Sequence, residues 1–402
     1  MARLIALGLG HLLADMLLNV LPAALPWLIP RLGLTLAMAG SAVAAMKVTS
    51  GFAQPLVGYL MDRRGRPWLF APSLLWTGLL TGAIAAVDDY AALVVLVAAA
   101  GLGSAVVHPL GMVMVRHTLP GRSGLAMSIW SAGGTLGLVL APLLTVATLE
   151  GFGIPGLWLF AVPAALVALG ASAVGVQRLP VTLALPQDGP PPAAAQARRP
   201  RGLVPANGRP VLWLTAALLV RSMLQMSLST FLTVYYVRQH GYTPEAAAWM
   251  LLLYTLAGTA GSLLGGWWAD RRGRREVTLL TQILAPAFAV AFLLTSGWPA
   301  AILLALTAAA IFSTFSVGAV YGQELLPEQP GTASGLIAGF AWGTAALLLG
   351  PVGAVADRVG LPLALSGVAV LCVVSALFIV PLPETRPQTP RLVAPSVPRS
   401  VS

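Results

Sequence analysis

The sequence predicts an all-α membrane protein: twelve transmembrane helices in two six-helix bundles related by pseudo-symmetry. Composition is the first ground. Of 402 residues, 57% are hydrophobic and 9% are charged, where a soluble domain carries about 25% charged residues. The mean hydropathy is +0.85. So few charges cannot cover a soluble surface, which excludes a cytosolic enzyme, a disordered chain and a disulfide-rich secreted domain. The second ground is the recurrence of apolar windows of bilayer length, about 20 residues each. The third is an internal repeat. GYLMDRRGRP begins at Gly58 and GWWADRRGRR at Gly266, so Asp62 and Asp270 stand 208 residues apart. Leu119-Pro120 with Leu326-Pro327, and Pro142 with Pro351, repeat at nearly the same distance.

The first span is expected at 4–29. One basic residue followed by an apolar run mimics a signal peptide, but His11 and Asp15 inside the run argue for a retained helix. Further spans are expected at 38–61, 68–87, 91–115, 124–148 and 155–176, separated by short polar breaks. A second group follows at 210–237, 246–269, 277–296, 299–322, 334–356 and 362–381. Residues 1–176 thus form an N-terminal bundle and 210–381 a C-terminal one. Between them, 177–209 contains QDGPPPAAAQARRPRG, whose Pro, Ala and Arg content cannot build a core and reads as a cytoplasmic linker. Residues 382–402, rich in Pro, Ser and Arg, read as a disordered cytoplasmic tail. The 42 glycines and 32 prolines suit membrane helices that kink and pack closely. Gly133, Gly137 and Ala141 follow small-xxx-small spacing, read as helix packing. Gly151, Gly153 and Gly156 match G-x-G-x-x-G but lie in a short loop between spans, with no strand before them, so they are not a nucleotide site. Cys372 is the one cysteine, which leaves no intrachain disulfide and no cysteine metal cluster.

The net charge of +10 is explained by topology rather than by nucleic acid. With the N-terminus in the cytoplasm, 18 of the 23 Lys and Arg residues fall on the cytoplasmic side. Arg31, Arg238 and Arg358 fall outside, and Lys47 and Arg221 lie within spans. This positive-inside asymmetry predicts that both termini are cytoplasmic; the localisation expected for the chain is a bacterial cytoplasmic membrane.

Charges inside the hydrocarbon layer are costly and mark function. Asp15, Lys47 and Arg221 are the strongly charged residues placed deep in spans. His11, Asp15 and Asn19 share one face of the first span, being spaced four apart. Lys47, Ser50 and Gln54 share a face of the second. Arg221, Gln225 and Ser229 share a face of the seventh. Three polar stripes on apolar helices point to one central polar cavity; the alternative is a buried salt-bridge network that locks the helices. Asp15 is the leading proton carrier, because changes in solvation and in nearby charge exchange its ionised and neutral forms. His11 has an intrinsic proton affinity in the useful range, and a structural hydrogen-bonded histidine is the competing reading. Lys47 and Arg221 permit an anionic substrate group, against the alternative that Arg221 pairs with Asp15. His108-Pro109 reads as a kink, either purely structural or carrying a polar residue that lines the cavity, since proline frees a backbone carbonyl that a neighbour must satisfy. Glu324 and Gln323, near a helix end, read as a gate or interfacial anchor.

The run Gly58-Tyr59-Leu60-Met61-Asp62-Arg63-Arg64-Gly65-Arg66 resembles the signature loop of the major facilitator superfamily. Asp270, Arg271, Gly273 and Arg274 form a degenerate copy. His11-x-x-x-Asp15, Gln54-Pro55, Gly58-Tyr59, His108-Pro109, GLAMS at 124–128 and YGQELLP at 321–327 resemble the fosmidomycin-resistance branch, as do Arg221, Ser227, Ser229, Thr233 and Tyr235. Lys47 departs from that pattern, where a neutral polar residue is usual. The resemblance implies the major facilitator fold and a proton-coupled antiporter that exports small molecules, drugs included. It also implies a gating role for Gly58, Asp62, Arg63, Gly65 and Arg66, with the Asp270–Arg274 copy as a weaker twin. The expected partners are a small-molecule substrate, protons and the lipid bilayer, with no cofactor, no metal and a monomeric working unit. Proton-coupled uptake of an organic anion is the alternative within transport. A polytopic enzyme would require a dense polar or metal cluster near one interface, which the sequence lacks. A non-transporting sensor is the remaining alternative.

Overall fold

A computed structural model of the chain describes residues 1–64, 66–119, 123–180, 208–327, 333 and 335–385. Every regular element in it is helical. The N-terminal bundle comprises α1 (Ala2–Leu32), α2 (Leu36–Arg64), α3 (Phe70–Ala83), α4 (Tyr90–Arg116), α5 (Ser123–Phe152) and α6 (Ala161–Ala173). The C-terminal bundle begins with α7 (Arg209–His240), α8 (Pro244–Arg272), α9 (Arg274–Leu293) and α10 (Gly297–Leu325). The eleventh span is built in pieces: a π-helical turn Gly335–Phe340, α11 (Ala341–Leu347) and α12 (Leu349–Val359). The twelfth is α13 (Leu361–Ser375). Among the described residues eleven helical spans are long and apolar enough to cross a membrane, and the broken eleventh span completes the twelve. The linker expected at 177–209 lies largely outside the described residues. At the other boundary the packed chain runs on to Thr385, with Leu382 buried, so the segment expected to be tail from 382 starts as part of the C-terminal bundle.

Within the N-terminal bundle α1 packs along α5, and α2 along α4. Glycine makes the first of these contacts close. A Cβ on Gly133 would overlap the carbonyl of Gly8, and one on Gly137 would overlap that of Leu12. These two glycines serve helix approach, as small residues do where backbones meet. The bundles meet where α2 packs on α11 and α12, α5 on α8, and α1 on α7. Helix α1 carries Pro22, Pro26 and Pro30. Proline lacks an N–H, so Pro26 leaves the Pro22 carbonyl without its helical donor. Thr233 Oγ1 of α7 donates to that carbonyl at 3.4 Å, which ties the two bundles across the seam.

Candidate functional site

The site begins with the four-residue spacing on α1. It places His11 and Asp15 one turn apart on the same face, with His11 Nε2 3.3 Å from Asp15 Oδ2. Helix α4 supplies the third member: His108 Nε2 lies 3.0 Å from Asp15 Oδ1. One carboxylate therefore sits between two imidazoles. The side chains of His11, Asp15 and His108 are 12%, 19% and 20% exposed, enclosed by helices but not sealed from solvent. Each imidazole is fixed by its other nitrogen. His11 Nδ1 donates to the Trp130 carbonyl at 2.8 Å, and His108 Nδ1 donates to the Ser104 carbonyl at 2.9 Å. A carbonyl only accepts, so both Nδ1 atoms carry the proton and both Nε2 atoms turn to Asp15.

Helix α5 shapes the pocket. The Trp130 ring stacks on His11 with centroids 4.2 Å apart and an interplanar angle of 15°. Trp130 fits because Gly111 of α4 presents no side chain: a Cβ there would overlap the indole. Gly134, one turn further along α5, leaves room for the pair itself. A Cβ on it would lie 2.5 Å from Asp15 Oδ2 and 2.5 Å from His11 Cε1. Trp130 and Gly134 are absent from the sequence-derived site. One contributes a main-chain carbonyl and a ring face, the other an empty space, and neither carries a charge that composition could flag.

Lys47 of α2 is half-buried and within electrostatic reach of Asp15, without an ion pair inside 4 Å among the described contacts. Ser50, on the same face, is buried and bonds Ser104 of α4 at 3.4 Å. Gln54 is half-buried further along the helix. Asn19 takes a different course: its Nδ2 donates to the Asp15 carbonyl at 2.7 Å, so it braces its own helix rather than touching the carboxylate.

The stripe on α7 stays within the C-terminal bundle. Arg221 is 4% exposed and donates to the Ile311 carbonyl of α10 at 2.7 Å, to Gln225 Oε1 at 3.2 Å and to Ser222 Oγ at 3.1 Å. Its ion pair with Asp15, considered from sequence, is not among the described contacts, because the guanidinium turns toward α10. Tyr254 of α8 donates to the Gln225 carbonyl at 3.2 Å. Ser229 is half-buried and donates to the Met226 carbonyl at 3.1 Å.

Gly65 and the surroundings of Gly58, Asp62 and Arg63 fall outside what is described, and Arg66 is exposed. The second copy is described. Arg274 meets Asp270 at 2.6 Å and Glu324 of α10 at 3.5 Å. Arg271 covers the Trp267 ring at 3.7 Å. Gly273 joins α8 to α9 with φ +113°, a conformation L side chains rarely adopt. Among described residues the one gathering of ligand-type side chains is His11, Asp15 and His108, within 4.8 Å of one another. Their separations are hydrogen-bond lengths, and we assign them no metal.

A charged, partly enclosed site on α1, α4 and α5 of one of two membrane-spanning helical bundles fits a multi-pass membrane transporter. The family model described as Major Facilitator Superfamily matches residues 7–351 and 238–396. The chain is 30% identical over 386 residues to the fosmidomycin resistance protein of Escherichia coli (strain K12), covering 95% of this chain and 92% of that one. It is 30% identical over 389 residues to the MFS-type transporter YfnC of Bacillus subtilis (strain 168), covering 94% and 92%. Among solved structures it is similar to a bacterial homolog of the human lysosomal transporter Spinster in an inward-facing, unoccupied conformation. That similarity has a TM-score of 0.78 at 18% identity and covers 94% of this chain and 95% of that one. The nucleoside transporter NupG superposes with a TM-score of 0.76 at 16% identity, covering 94% and 99%. The chain belongs to the major facilitator superfamily.

Proposed function

We propose that the protein is a proton-coupled exporter of small molecules in the bacterial cytoplasmic membrane, working as a monomer with both termini in the cytoplasm. The observation that carries the coupling is the Asp15 carboxylate held between the Nε2 atoms of His11 and His108. With both Nδ1 protons committed to carbonyls, each Nε2···carboxylate contact is a hydrogen bond only when a further proton lies on it. The trio therefore holds zero, one or two such protons, and its charge runs from −1 to +1. A group that changes charge on the face of α1 gives the halves a reason to prefer different arrangements in different protonation states. Lys47, half-buried on α2, is the cationic side chain that the sequence places with Asp15 deep in the spans of the N-terminal bundle. It also offers a docking charge for an anionic group on the substrate. Export, rather than uptake, is supported by the relative whose name records resistance to fosmidomycin.

The test uses purified protein in proteoliposomes with an imposed pH gradient and fosmidomycin as the probe. The wild type is expected to accumulate the probe against its gradient. Asp15→Asn is expected to lose that accumulation while keeping exchange of labelled for unlabelled probe, a step that needs no net proton movement. Undiminished gradient-driven accumulation by Asp15→Asn sinks the coupling assignment.

A further inference from the structure

The α2 helix starts with a problem that its own sequence half solves. The first N–H groups of a helix have no intrahelical acceptor. Thr35, just before the helix, supplies Oγ1 to the Met38 N–H at 3.1 Å and its carbonyl to the Ala39 N–H at 3.0 Å. The Leu36 and Ala37 N–H groups are left over. They are taken by a residue from the other bundle: Asp357, near the end of α12, accepts from Leu36 through Oδ1 at 2.8 Å and from Ala37 through Oδ2 at 2.9 Å. A carboxylate at a helix N-terminus is favourable both as acceptor and as charge against the dipole.

The contact ends a seam of small residues. Gly350, Gly353 and Asp357 lie on one face of α12. A Cβ on Gly353 would overlap the Leu36 carbonyl, and one on Gly350 would overlap the Ser41 hydroxyl. On α2, a Cβ on Gly40 would overlap the Leu349 carbonyl. Such backbone-to-backbone contact binds by proximity and releases without disturbing interlocked side chains. Asp357 is exposed, so water can replace it on the Leu36 and Ala37 N–H groups when the helices part.

We propose that Asp357 is a reversible latch that holds the bundles together at the end of the molecule opposite the two termini. α2 is fully capped only while that end is closed, so its parting costs two charge-assisted hydrogen bonds. The proposal goes beyond proton coupling and does not depend on it.

The test reads accessibility at the seam. In a Cys372→Ser background, Ser41→Cys is labelled with a membrane-impermeant maleimide in right-side-out and inverted vesicles. Using both removes any dependence on which end faces outward. Asp357→Ala is expected to raise the labelling rate about tenfold from one side, the scale of losing hydrogen bonds to a charged group that is partly screened by water. Asp357→Asn, which keeps one carbonyl acceptor, is expected to fall between. Gly353→Leu, which wedges the seam apart, calibrates the reporter. Thr35→Ala removes the helix's own cap without touching the seam, and is expected to lower the melting temperature but leave labelling unchanged. An Asp357→Ala rate equal to the parent, with Gly353→Leu raising it, overturns the latch. A rate increase by Thr35→Ala equal to that of Asp357→Ala overturns it as well, because the effect would then be helix fraying.

Discussion

Asp15 is where the chemistry of the chain concentrates, and its surroundings are set as much by missing atoms as by present ones. Gly134 stands where any side chain would press on both Asp15 and His11. Gly134→Ala inserts one methyl into a packed site, which costs about 1–3 kcal/mol when neighbours must move. The neighbours here are Asp15 and His11, the groups proposed to hold the coupling protons, so the strain falls on their alignment. The expected outcome is a transport rate at least ~10-fold lower with a melting temperature reduced by only a few degrees. Gly51→Ala is the control, since nothing lies within 4 Å of a Cβ there; it is expected to leave both unchanged. A Gly134→Ala protein with full transport would mean that the trio tolerates displacement. The site was legible in part. The four-residue spacing of His11 and Asp15 and their place deep in an apolar run are visible in sequence. The approach of His108 is not, because it depends on how α4 packs against α1. Arg221 shows the opposite failure: charge and depth marked it correctly as buried, but not which way its side chain turns.

At the scale of an element, the turn between α8 and α9 shows how the C-terminal bundle is secured. Glu384 accepts from the Arg275 and Glu276 N–H groups, both at 3.0 Å, and so caps α9 from a segment 108 residues later. Tyr321 of α10 donates to the Pro383 carbonyl at 2.7 Å, and Arg274 N–H donates to the Thr385 carbonyl at 3.1 Å. Asp270, expected from the repeat to be the twin of a gating residue, pairs with Arg274 within this same clasp. Removing a cap costs about 1 kcal/mol, so Glu384→Ala is expected to lower the thermal midpoint of the purified protein by a few degrees. Gly273→Ala is expected to cost more, because a Cβ both strains the φ of +113° and collides with Glu384. Truncation after Thr385 keeps every one of these contacts and is expected to melt with the full chain, whereas truncation after Leu382 is expected to melt lower than Glu384→Ala. Equal midpoints for the two truncations would show that the docked segment contributes nothing. Composition placed this boundary at 382 because the Pro, Ser and Arg content beyond it reads as tail, while the acceptors that Glu384 and Thr385 supply answer to a helix start elsewhere in the chain.

Across the whole molecule, scarcity of charge works in two ways. It made the spans readable, since an apolar window is a one-dimensional signal that needs no knowledge of packing. It also makes the few remaining charges the signal for orientation, because the topology expected from sequence puts most of the basic residues on the side of the termini. The seam between bundles carries no such signal: Gly40, Gly350 and Gly353 resemble every other glycine in a helix until two backbones are brought together. Orientation can be tested without any knowledge of the seam. In the Cys372→Ser background, Gly151→Cys places a thiol in open space at the end opposite the termini. Arg209→Cys places one on an exposed residue at the start of α7, on the terminal side. An impermeant maleimide added to intact cells is expected to label Gly151→Cys and to spare Arg209→Cys until the cells are lysed. The reverse pattern would put the basic segments outside, against the electrostatic preference that places them. The topology read from the basic residues would then be overturned, while the proposal of export, which rests on the resistance relative, and the His11–Asp15–His108 geometry would stand.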